Sequence, residues 1–243
     1  MGVLLQARGL CRKYGDMVAV DHVDLTICEG EIVALLGPNG AGKSTTMKML
    51  TTLLEPSAGE ISYLSHPVPQ DLIEAKKLFG FVADQPMILP YVTGWEYIQF
   101  IGGLYGFSQR DIEARAMPLV ERFRLTESIH KRATGYSHGM QQKLALIAQL
   151  VHRPRVLIAD EPTVGLDPAS AAEMQAIFRE HAAAGNGILL STHLLDMANT
   201  LATRIIIMMK GRIVAEGTPE ELANREFDSL QSIFLRLTGE PTS

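Results

Sequence analysis

The stretch Gly37-Pro38-Asn39-Gly40-Ala41-Gly42-Lys43-Ser44 decides the fold, because it has the spacing G-x-x-x-x-G-K-[ST] directly after an apolar run at 32–36. Its glycines let successive backbone N–H groups turn inward as an anion nest, and a helix beginning near Gly42 directs its positive end to the same point. Lys43 adds a charge for the outer phosphates, and Ser44 places a hydroxyl for Mg²⁺. A glycine-rich turn that binds nothing is the alternative. The strand before the loop and an apolar helix at 47–54 after it favour a nucleoside triphosphate site.

Two carboxylates follow a second apolar strand in the other half of the chain. The run Val156-Leu157-Ile158-Ala159 ends in Asp160 and Glu161. A buried strand delivers Asp160 to its carboxyl end beside the phosphate loop, where it can hold the Mg²⁺ shell through water. Glu161, one step further on, lies where a base or orienting group for the attacking water belongs. An isolated pair could equally be two solvated acids, but the phosphate loop upstream favours the catalytic assignment.

A histidine is expected to open on the same edge of the sheet. His193 follows the apolar strand Ile188–Ser191 by two residues. A histidine at a strand end is, by itself, more often structural than catalytic. Together with the phosphate loop and the two acids, it is predicted to contact the γ-phosphate.

The composition describes a chain that can bury a substantial core. Its 243 residues are 47% apolar, enough for one large α/β domain or two small lobes. The net charge of −5 provides no broad basic face, so we expect no nucleic-acid partner. Cys11 and Cys28 could form a disulfide, but we favour two free thiols in a reducing compartment. The sequence contains no signal peptide and no apolar run of about 20 residues, which predicts a soluble chain.

Strands and helices alternate along the chain. A helical block from about Thr93 to Leu150 begins with a capping box, Thr93-Gly94-Trp95-Glu96, and separates two strand-rich halves. Thr218 is predicted to cap a last helix. The predicted strands are Val3–Leu10, Ala19–Ile27, Glu31–Leu36, Glu60–Leu64, Val156–Ala159, Ile188–Ser191 and Ile205–Met209, with a hairpin into Arg212–Ala215.

These motifs resemble the nucleotide-binding subunits of ABC transporters, and the resemblance extends from Arg8 to about Leu237. It makes 37–45 the Walker A loop, 156–160 the Walker B strand and Glu161 the catalytic glutamate. Tyr14 resembles the aromatic side chain that stacks on adenine, although a partly buried strand-end tyrosine would have the same pattern. The implied ATP contacts are Tyr14, Gly37, Pro38, Asn39, Gly40, Ala41, Gly42, Lys43, Ser44 and Thr45, with His193 as the switch histidine.

The most diagnostic segment is Tyr136-Ser137-His138-Gly139-Met140-Gln141-Gln142, which is similar to the family signature L-S-G-G-Q. His138 replaces the first glycine and Met140 the glutamine, whereas Ser137 and Gly139 are kept. The resemblance implies that Ser137, Gly139 and Met140 contact the γ-phosphate of a second subunit's ATP. Other phosphate-loop proteins lack this segment, so it separates the family from them.

Two further motifs depart from the family pattern. In the stretch 79–86, Asp84 occupies the usual place of the Q-loop glutamine and Gln85 follows it, so either residue could be the Mg²⁺ ligand; we favour Asp84. Val164-Gly165-Leu166-Asp167 resembles the D-loop, but Val-Gly replaces the usual Ser-Ala, which leaves its contacts across a dimer open. Asp167 is a further candidate ligand. The implied metal ligands are Ser44, Asp84 and Asp160, with Gln85 and Asp167 as alternatives.

The resemblance implies an α/β fold with a phosphate-loop (RecA-like) mixed-sheet core, an N-terminal antiparallel β subdomain and an inserted α-helical subdomain. The cassette would occupy residues 1–225, with the helical subdomain at about 85–150, and residues 226–243 would form a C-terminal helix or tail. The run Phe227–Gly239 resembles the tail of exporter-type subunits, although an ordinary amphipathic terminal helix has the same pattern.

The resemblance also implies a mechanism. Ser137 lies 94 residues after Lys43, so the signature is expected to cap the ATP of a second subunit in a head-to-tail dimer. ATP and Mg²⁺ would be the cofactors, and hydrolysis would drive export through a separate integral membrane permease. The chain would then be a cytoplasmic ATPase, peripheral on the inner face of the cell membrane.

A segment rich in large apolar residues, from Asp84 to Trp95, is the predicted docking surface for that permease. The alternative is that Met87, Ile88 and Leu89 tuck under the helical block.

Two other classes of protein remain open. An iron–sulphur assembly ATPase is also a single soluble cassette. A metabolite kinase would explain Lys43 and Asp160 but not the signature, Glu161 or His193.

Overall fold

A computed structural model describes residues 2–89 and 91–223. Its strands are β1 Val3–Tyr14, β2 Met17–Cys28, β3 Ile32–Leu36, β4 Ala58–Tyr63, β5 His66–Val68, β6 Phe79–Val82, β7 Val156–Asp160, β8 Gly187–Ser191, β9 Arg204–Met209 and β10 Arg212–Gly217. Its helices are α1 Lys43–Leu50, α2 Leu72–Leu78, α3 Gly94–Leu104, α4 Gln109–Arg122, α5 His138–Leu150, α6 Pro168–Ala183, α7 Leu195–Leu201 and α8 Pro219–Ala223.

Two sheets organise these elements. The first is a four-stranded antiparallel sheet with the order β2-β1-β4-β5. The second has six strands in the order β10-β9-β3-β8-β7-β6, of which β10 is antiparallel and the other five are parallel. The prediction of an α/β phosphate-loop core with an N-terminal antiparallel β subdomain is confirmed.

The centre of the six-stranded sheet positions the site. Every residue of β3, β7 and β8 is buried, as expected for parallel strands that are covered on both faces. Ser191 at the end of β8 pairs with Leu35 of β3 on one side and with Asp160 of β7 on the other. The loops that follow these three strands therefore leave the sheet side by side.

Helices α3, α4 and α5 form the inserted helical subdomain. Thr93 and Glu96 make the predicted capping box, in which each side chain accepts a hydrogen bond from the other residue's backbone N–H, at 3.1 and 2.7 Å. The three helices bury Ile98, Ile112 and Leu144 in one core with a face of the six-stranded sheet. The subdomain therefore packs directly on the strands that carry the site.

Helix α5 and the residues after it cover the free edge of β6, the outermost parallel strand. Gln149 Oε1 accepts a hydrogen bond from Phe81 N–H at 3.2 Å, and His152 Nε2 lies 3.1 Å from the Phe79 carbonyl oxygen, to which it donates. Side chains thus satisfy backbone groups that a further strand would otherwise pair.

The helix after the phosphate loop is shorter than predicted. It ends at Leu50, so the expected continuation through Leu53 and Leu54 is wrong. Thr52 has a left-handed backbone (φ 61°), which ends the helix, and Leu53 is left 65% exposed. Spacing alone predicted an apolar face here, but the chain turns before it can bury Leu53.

Several elements were not predicted from the sequence, namely β5, β6, α2, α6 and α7. Helix α6 buries Met174, Ile177 and Phe178, but the alanines around them weaken the contrast between its two faces. Residues 226–243 and the exporter-like run Phe227–Gly239 lie outside the described residues.

Cys11 is buried, Cys28 is half-buried, and both are free thiols, as we favoured. Of the helices in residues 2–89 and 91–223, none combines the length and apolar character that crossing a membrane requires.

Candidate site for nucleotide binding and hydrolysis

The loop between β3 and α1 wraps around the side chain of Lys43. The Lys43 ammonium group donates hydrogen bonds to the carbonyl oxygens of Gly37 at 2.6 Å and of Pro38 at 3.1 Å. Gly42 has φ 105°, and a Cβ there would lie 2.7 Å from the Ala19 carbonyl oxygen. The loop needs glycine at this position both for its backbone conformation and for the close approach of β2.

The first turn of α1 fits an anion. Across residues 2–89 and 91–223, no side chain caps the N-terminus of this helix. The first backbone N–H groups of a helix have no intrahelical acceptor, and here no side chain of the described residues accepts from them either. They point out of the helix toward the loop and are available to an anion. The Ser44 hydroxyl lies in the same turn, so the donors and the oxygen ligand that a Mg²⁺–phosphate group requires are together.

An open cleft of about 470 Å³ lies over this loop. Tyr14 at the end of β1 lines one part of the cleft and is 44% exposed, with the Arg12 guanidinium carbon 4.7 Å from its ring centre. Residues 39–45 line the cleft as well. Five residues that were not predicted from the sequence complete the wall: Met17, Val18, Ala19, Lys210 and Gly211.

The predicted acids and histidine meet at the carboxyl ends of β7 and β8. His193 Nδ1 lies 2.9 Å from Glu161 Oε2. Ser191 joins the two acids, because its hydroxyl donates to Asp160 Oδ1 and accepts a hydrogen bond from Glu161 N–H at 3.0 Å. Glu161 has a left-handed backbone (φ 46°), which turns its side chain away from the strand direction toward His193.

Ser191 was missed as a site residue. The signal available in the sequence was a single hydroxyl at the end of an otherwise apolar strand, two residues before His193.

Lys43 is electrostatically linked to the same acids. Burial lowers the pKa of Lys43, and the charges of Glu161 and Asp160 oppose this shift. The ammonium group and both carboxylates therefore share one environment. This arrangement can bind a polyanion through Lys43 and a cation through Asp160 in a single cluster.

Asp84 lies two residues after the end of β6 and is half-buried, whereas Gln85 is exposed. The amide of the buried Gln142 on α5 donates hydrogen bonds to the carbonyl oxygens of Ala83 at 3.2 Å and Asp84 at 3.0 Å. This link, which was not predicted from the sequence, holds the Q-loop backbone against the signature helix.

The signature residues begin α5. Ser137 is the N-cap, and its hydroxyl accepts a hydrogen bond from Met140 N–H at 3.3 Å. Gly139 is buried, and a Cβ there would lie 2.6 Å from the Gly165 carbonyl oxygen. Met140 lines a separate cleft of about 340 Å³, together with Asp167, Arg122 and Lys143.

Asp167, the alternative metal ligand, caps helix α6 by accepting a hydrogen bond from Ser170 N–H at 2.9 Å. The hydrogen bonds from Ser170, followed by the nearby charge of Lys143, lower the pKa of Asp167 to about 2. In this structure the carboxylate is thus a capping group.

One unusual residue of the signature, His138, contacts one unusual residue of the D-loop, Gly165. The His138 ring lies against Gly165, where a Cβ would be 2.6 Å from His138 Cδ2. Gly165 also has a left-handed backbone (φ 76°). Glycine in the D-loop therefore makes room for the imidazole that replaces a signature glycine.

Comparison with known proteins agrees with this geometry. A sequence family described as "ABC transporter" matches residues 20–164. The chain is 37% identical to Daunorubicin resistance ATP-binding protein DrrA3 of Streptomyces coeruleorubidus over 96% of its own length and 73% of that protein. It is 35% identical to Nod factor export ATP-binding protein I of Cupriavidus metallidurans over 93% of its length and 75% of that protein. A solved structure described as an ATP binding subunit of an ABC transporter superposes with a TM-score of 0.91 at 33% identity, covering 97% of this chain and 99% of that one.

The chain belongs to the ABC transporter family as an ATP-binding subunit. It is an ATPase and a component of ATP-driven transport, as the motifs predicted. The kinase alternative is thereby excluded.

Proposed function

We propose that this chain is the ATPase subunit of an exporter, which dimerises on Mg-ATP and drives a separate integral membrane permease from the cytoplasmic face. The observation that carries the proposal is the cluster of Asp160, Glu161, Ser191 and His193 beside the Lys43 loop. Export rather than import is supported by relatives named for drug resistance and for Nod factor export. The alternative of an iron–sulphur assembly ATPase is less well supported, because the relatives named for drug resistance and for Nod factor export match over nearly the whole chain.

Each residue of the cluster has a distinct role in the proposed reaction. Lys43 and the first turn of α1 hold the phosphates, and Tyr14 stacks on the base. Ser44, Asp160 and Asp84 hold Mg²⁺, which when bound neutralises charge on the outer phosphates. Glu161 accepts a proton from the attacking water or orients it, and His193 contacts the γ-phosphate and keeps Glu161 oriented.

Ser191 fixes the backbone of Glu161 relative to Asp160, so the base and the metal ligand keep a constant separation.

The proposed dimer follows from where the signature lies. Met140 faces a cleft other than the one lined by residues 39–45. Ser137 and Gly139 would therefore complete the site of a second copy. Family members solved as a dimer have the same fold, at 24% identity and a TM-score of 0.81.

Light scattering of the Glu161→Gln protein tests the dimer. We expect a monomer without nucleotide and a dimer with Mg-ATP, because hydrolysis no longer opens the pair. A second substitution, Ser137→Ala, should weaken this dimer while nucleotide still binds to the monomer. A mass that stays monomeric with Mg-ATP at all accessible protein concentrations would contradict the signature's role across the dimer. The same measurement with the permease present raises the local concentration of the two cassettes.

The proposed docking surface is the segment from Asp84 to Trp95, of which Pro90 lies outside the described residues. Met87 is 92% and Tyr91 77% exposed, and Leu89 is also exposed, whereas Ile88 packs partly on the core. Exposure of three large apolar side chains within five residues supports contact with a short cytoplasmic helix of the permease. Gln142 joins the start of this segment to the signature helix, so docking and ATP closure would be coupled.

Substitution on this surface tests the partner. Tyr91→Glu should leave ATP binding and unfolding free energy unchanged while the protein leaves the membrane fraction and transport stops. Phe100→Glu, which alters an exposed aromatic residue on α3, is the matched control and should remain membrane-bound. If Tyr91→Glu remains membrane-bound with transport intact, the docking surface lies elsewhere.

A further inference from the structure

Three side chains with different ligand chemistry meet between β1 and β2, in the four-stranded sheet. They are the thiol of Cys11, the carboxylate of Asp21 and the imidazole of His22, whose ligand atoms all lie within 4.8 Å of one another. Asp160 and the proposed Mg²⁺ ligands lie on the other sheet or on the loops beside it. None of the three residues lines the nucleotide cleft or belongs to the hydrolysis cluster, so they form a second group of potential ligands.

A β-bulge brings the three side chains together. Leu10 pairs with Val23 and Arg12 with Val20, so Cys11 alone faces both Asp21 and His22. In a regular strand, consecutive residues point to opposite faces, and only one of Asp21 and His22 could reach Cys11. His22 takes a left-handed backbone (φ 51°), and Asp21 N–H turns away to bond the Gly211 carbonyl oxygen at 2.9 Å.

The polar contacts at the bulge favour a bound cation. The His22 backbone N–H donates a hydrogen bond to Cys11 Sγ at 3.3 Å, which holds the sulfur beside the other two ligand groups. Arg212 Nε donates to Asp21 Oδ2 at 2.7 Å and orients the carboxylate, while Asp21 Oδ1 faces His22 Nδ1 at 2.6 Å. A ligating carboxylate is typically held by a hydrogen bond from a neighbouring group, as Asp21 is held here by Arg212.

The cluster is accessible to an ion from solvent. Although Cys11 is 4% exposed, the His22 side chain is 80% exposed and free to turn its ring from the carboxylate to a metal. The cleft beside it is lined by Asp24 and Glu216 as well as by Arg212, and Glu216 is paired with Arg204.

We propose that Cys11, Asp21 and His22 bind a zinc-class divalent cation, with solvent at the fourth position. Thiolate, imidazole and carboxylate together are a donor set for Zn²⁺ or Co²⁺. Mg²⁺ and Ca²⁺ prefer oxygen ligands alone, so the ion would differ from the one at the ATP site. Binding displaces the thiol proton and replaces the hydrogen bond between His22 and Asp21 with two bonds to the metal.

Cobalt provides a direct readout in the reduced, chelator-treated, nucleotide-free chain. Titration with Co²⁺ should give visible d–d bands and a near-ultraviolet thiolate charge-transfer band that saturate together, and Zn²⁺ should bleach both. Cys11→Ser should abolish the charge-transfer band, and Asp21→Asn should weaken binding about tenfold or more. Cys28→Ser is the matched thiol control, and His66→Ala is the control for a hydrogen-bonded His–Asp pair, His66 with Asp71. Both controls should bind Co²⁺ as the parent does.

His22→Gly separates metal binding from folding. Glycine relieves the left-handed strain at this position, so the variant should be at least as stable as the parent without metal. It should nevertheless bind Co²⁺ about tenfold or more weakly, and the rise in melting temperature that Zn²⁺ causes in the parent should be lost. A parent protein with no thiolate band, a band that survives Cys11→Ser, or undiminished binding by His22→Gly would each overturn the proposal.

Discussion

The phosphate loop and the signature helix both belong to the proposed ATP site, but different contacts hold them in place. In the loop, Lys43 bonds to the carbonyl oxygens of Gly37 and Pro38, six and five residues before it. On the signature helix, Gln142 bonds to Asp84, 58 residues away, and Gln149 bonds to Phe81, 68 residues away. The Lys43 side chain thus fixes the loop through short-range contacts within one motif, to which Gly211 adds one long-range hydrogen bond by donating to the Ala41 carbonyl oxygen at 2.9 Å. The helix depends on long-range contacts to β6 and to the two residues after it. A motif of the first kind can be read from sequence, whereas the second kind becomes visible only in the fold.

The largest expected effect tests the loop side of this comparison. Glu161→Gln should lower the steady-state ATPase rate by roughly 10²–10⁴-fold, because the attacking water loses its base while the Lys43 loop is unchanged. Nucleotide affinity, measured by calorimetry, should remain near that of the parent. Lys43→Ala should instead weaken binding itself. Glu113→Gln, an exposed substitution on α4, is the control. An ATPase rate near that of the parent for Glu161→Gln would show that Glu161 is not the base.

A second test concerns the helix side and its dependence on pH. Burial lowers the pKa of His152 to about 4, from 6.5 in the unfolded chain. Between these two pH values the histidine is neutral in the folded protein but protonated in the unfolded protein. The contribution of His152 to the free energy of unfolding should then be fully present above pH 6.5 and be lost as the pH falls toward 4. The loss from this group at pH 5 is about 2 kcal/mol.

Urea unfolding at pH 7 and pH 5 measures this difference. Burial also lowers the pKa of His181 to about 4, so two protons contribute in the parent protein. His152→Gln keeps a donor for the Phe79 carbonyl oxygen but does not titrate, and it should roughly halve the pH effect. An unaltered pH effect in this variant would mean that His152 titrates alike in both states.

A third test breaks the link between the signature helix and the Q-loop. Gln142→Leu should lower the free energy of unfolding by about 1–2 kcal/mol, because two backbone carbonyl groups lose their donor. It should also lower the ATPase rate, since Asp84 is no longer held by α5. Gln141→Leu, at the adjacent half-buried position, serves as the control in both assays. Parent-like stability and rate for Gln142→Leu would show that the link does not matter.

The smallest effect concerns the contact between His138 and Gly165. Gly165→Ala should lower the free energy of unfolding, and the loss should be about 0.5–1 kcal/mol smaller in a His138→Ala background, because the ring that the new Cβ would meet is gone. Gly185→Ala has a similar backbone (φ 84°) with open space around its Cβ, so its cost should be the same in both backgrounds. A double-mutant cycle by urea unfolding measures the coupling. Purely additive effects for the 138–165 pair would contradict the contact.

The predictions made from local motifs in the sequence agree with the structure better than the prediction that relied on apolar spacing alone. The Asp160–Glu161 pair and His193 were placed at one sheet edge because parallel buried strands end together, and the structure brings them into contact. The capping box at Thr93 was equally local and is confirmed. Helix α1 was overextended to Leu54, because an apolar spacing does not say where the chain turns.

The sequence by itself determined the family, the phosphate loop, the alternation of strands and helices, and three residues of the proposed hydrolysis cluster, Asp160, Glu161 and His193. These follow from motifs in which the chemistry and the backbone conformation are set by neighbours along the chain. Only the tertiary structure decided that Ser191 bridges the two acids, that Gln142 holds the Q-loop, and that Cys11 meets His22 at a bulge. Each of these contacts joins residues that are distant in sequence or depends on a strand irregularity, and neither leaves a periodic signal in the amino-acid order.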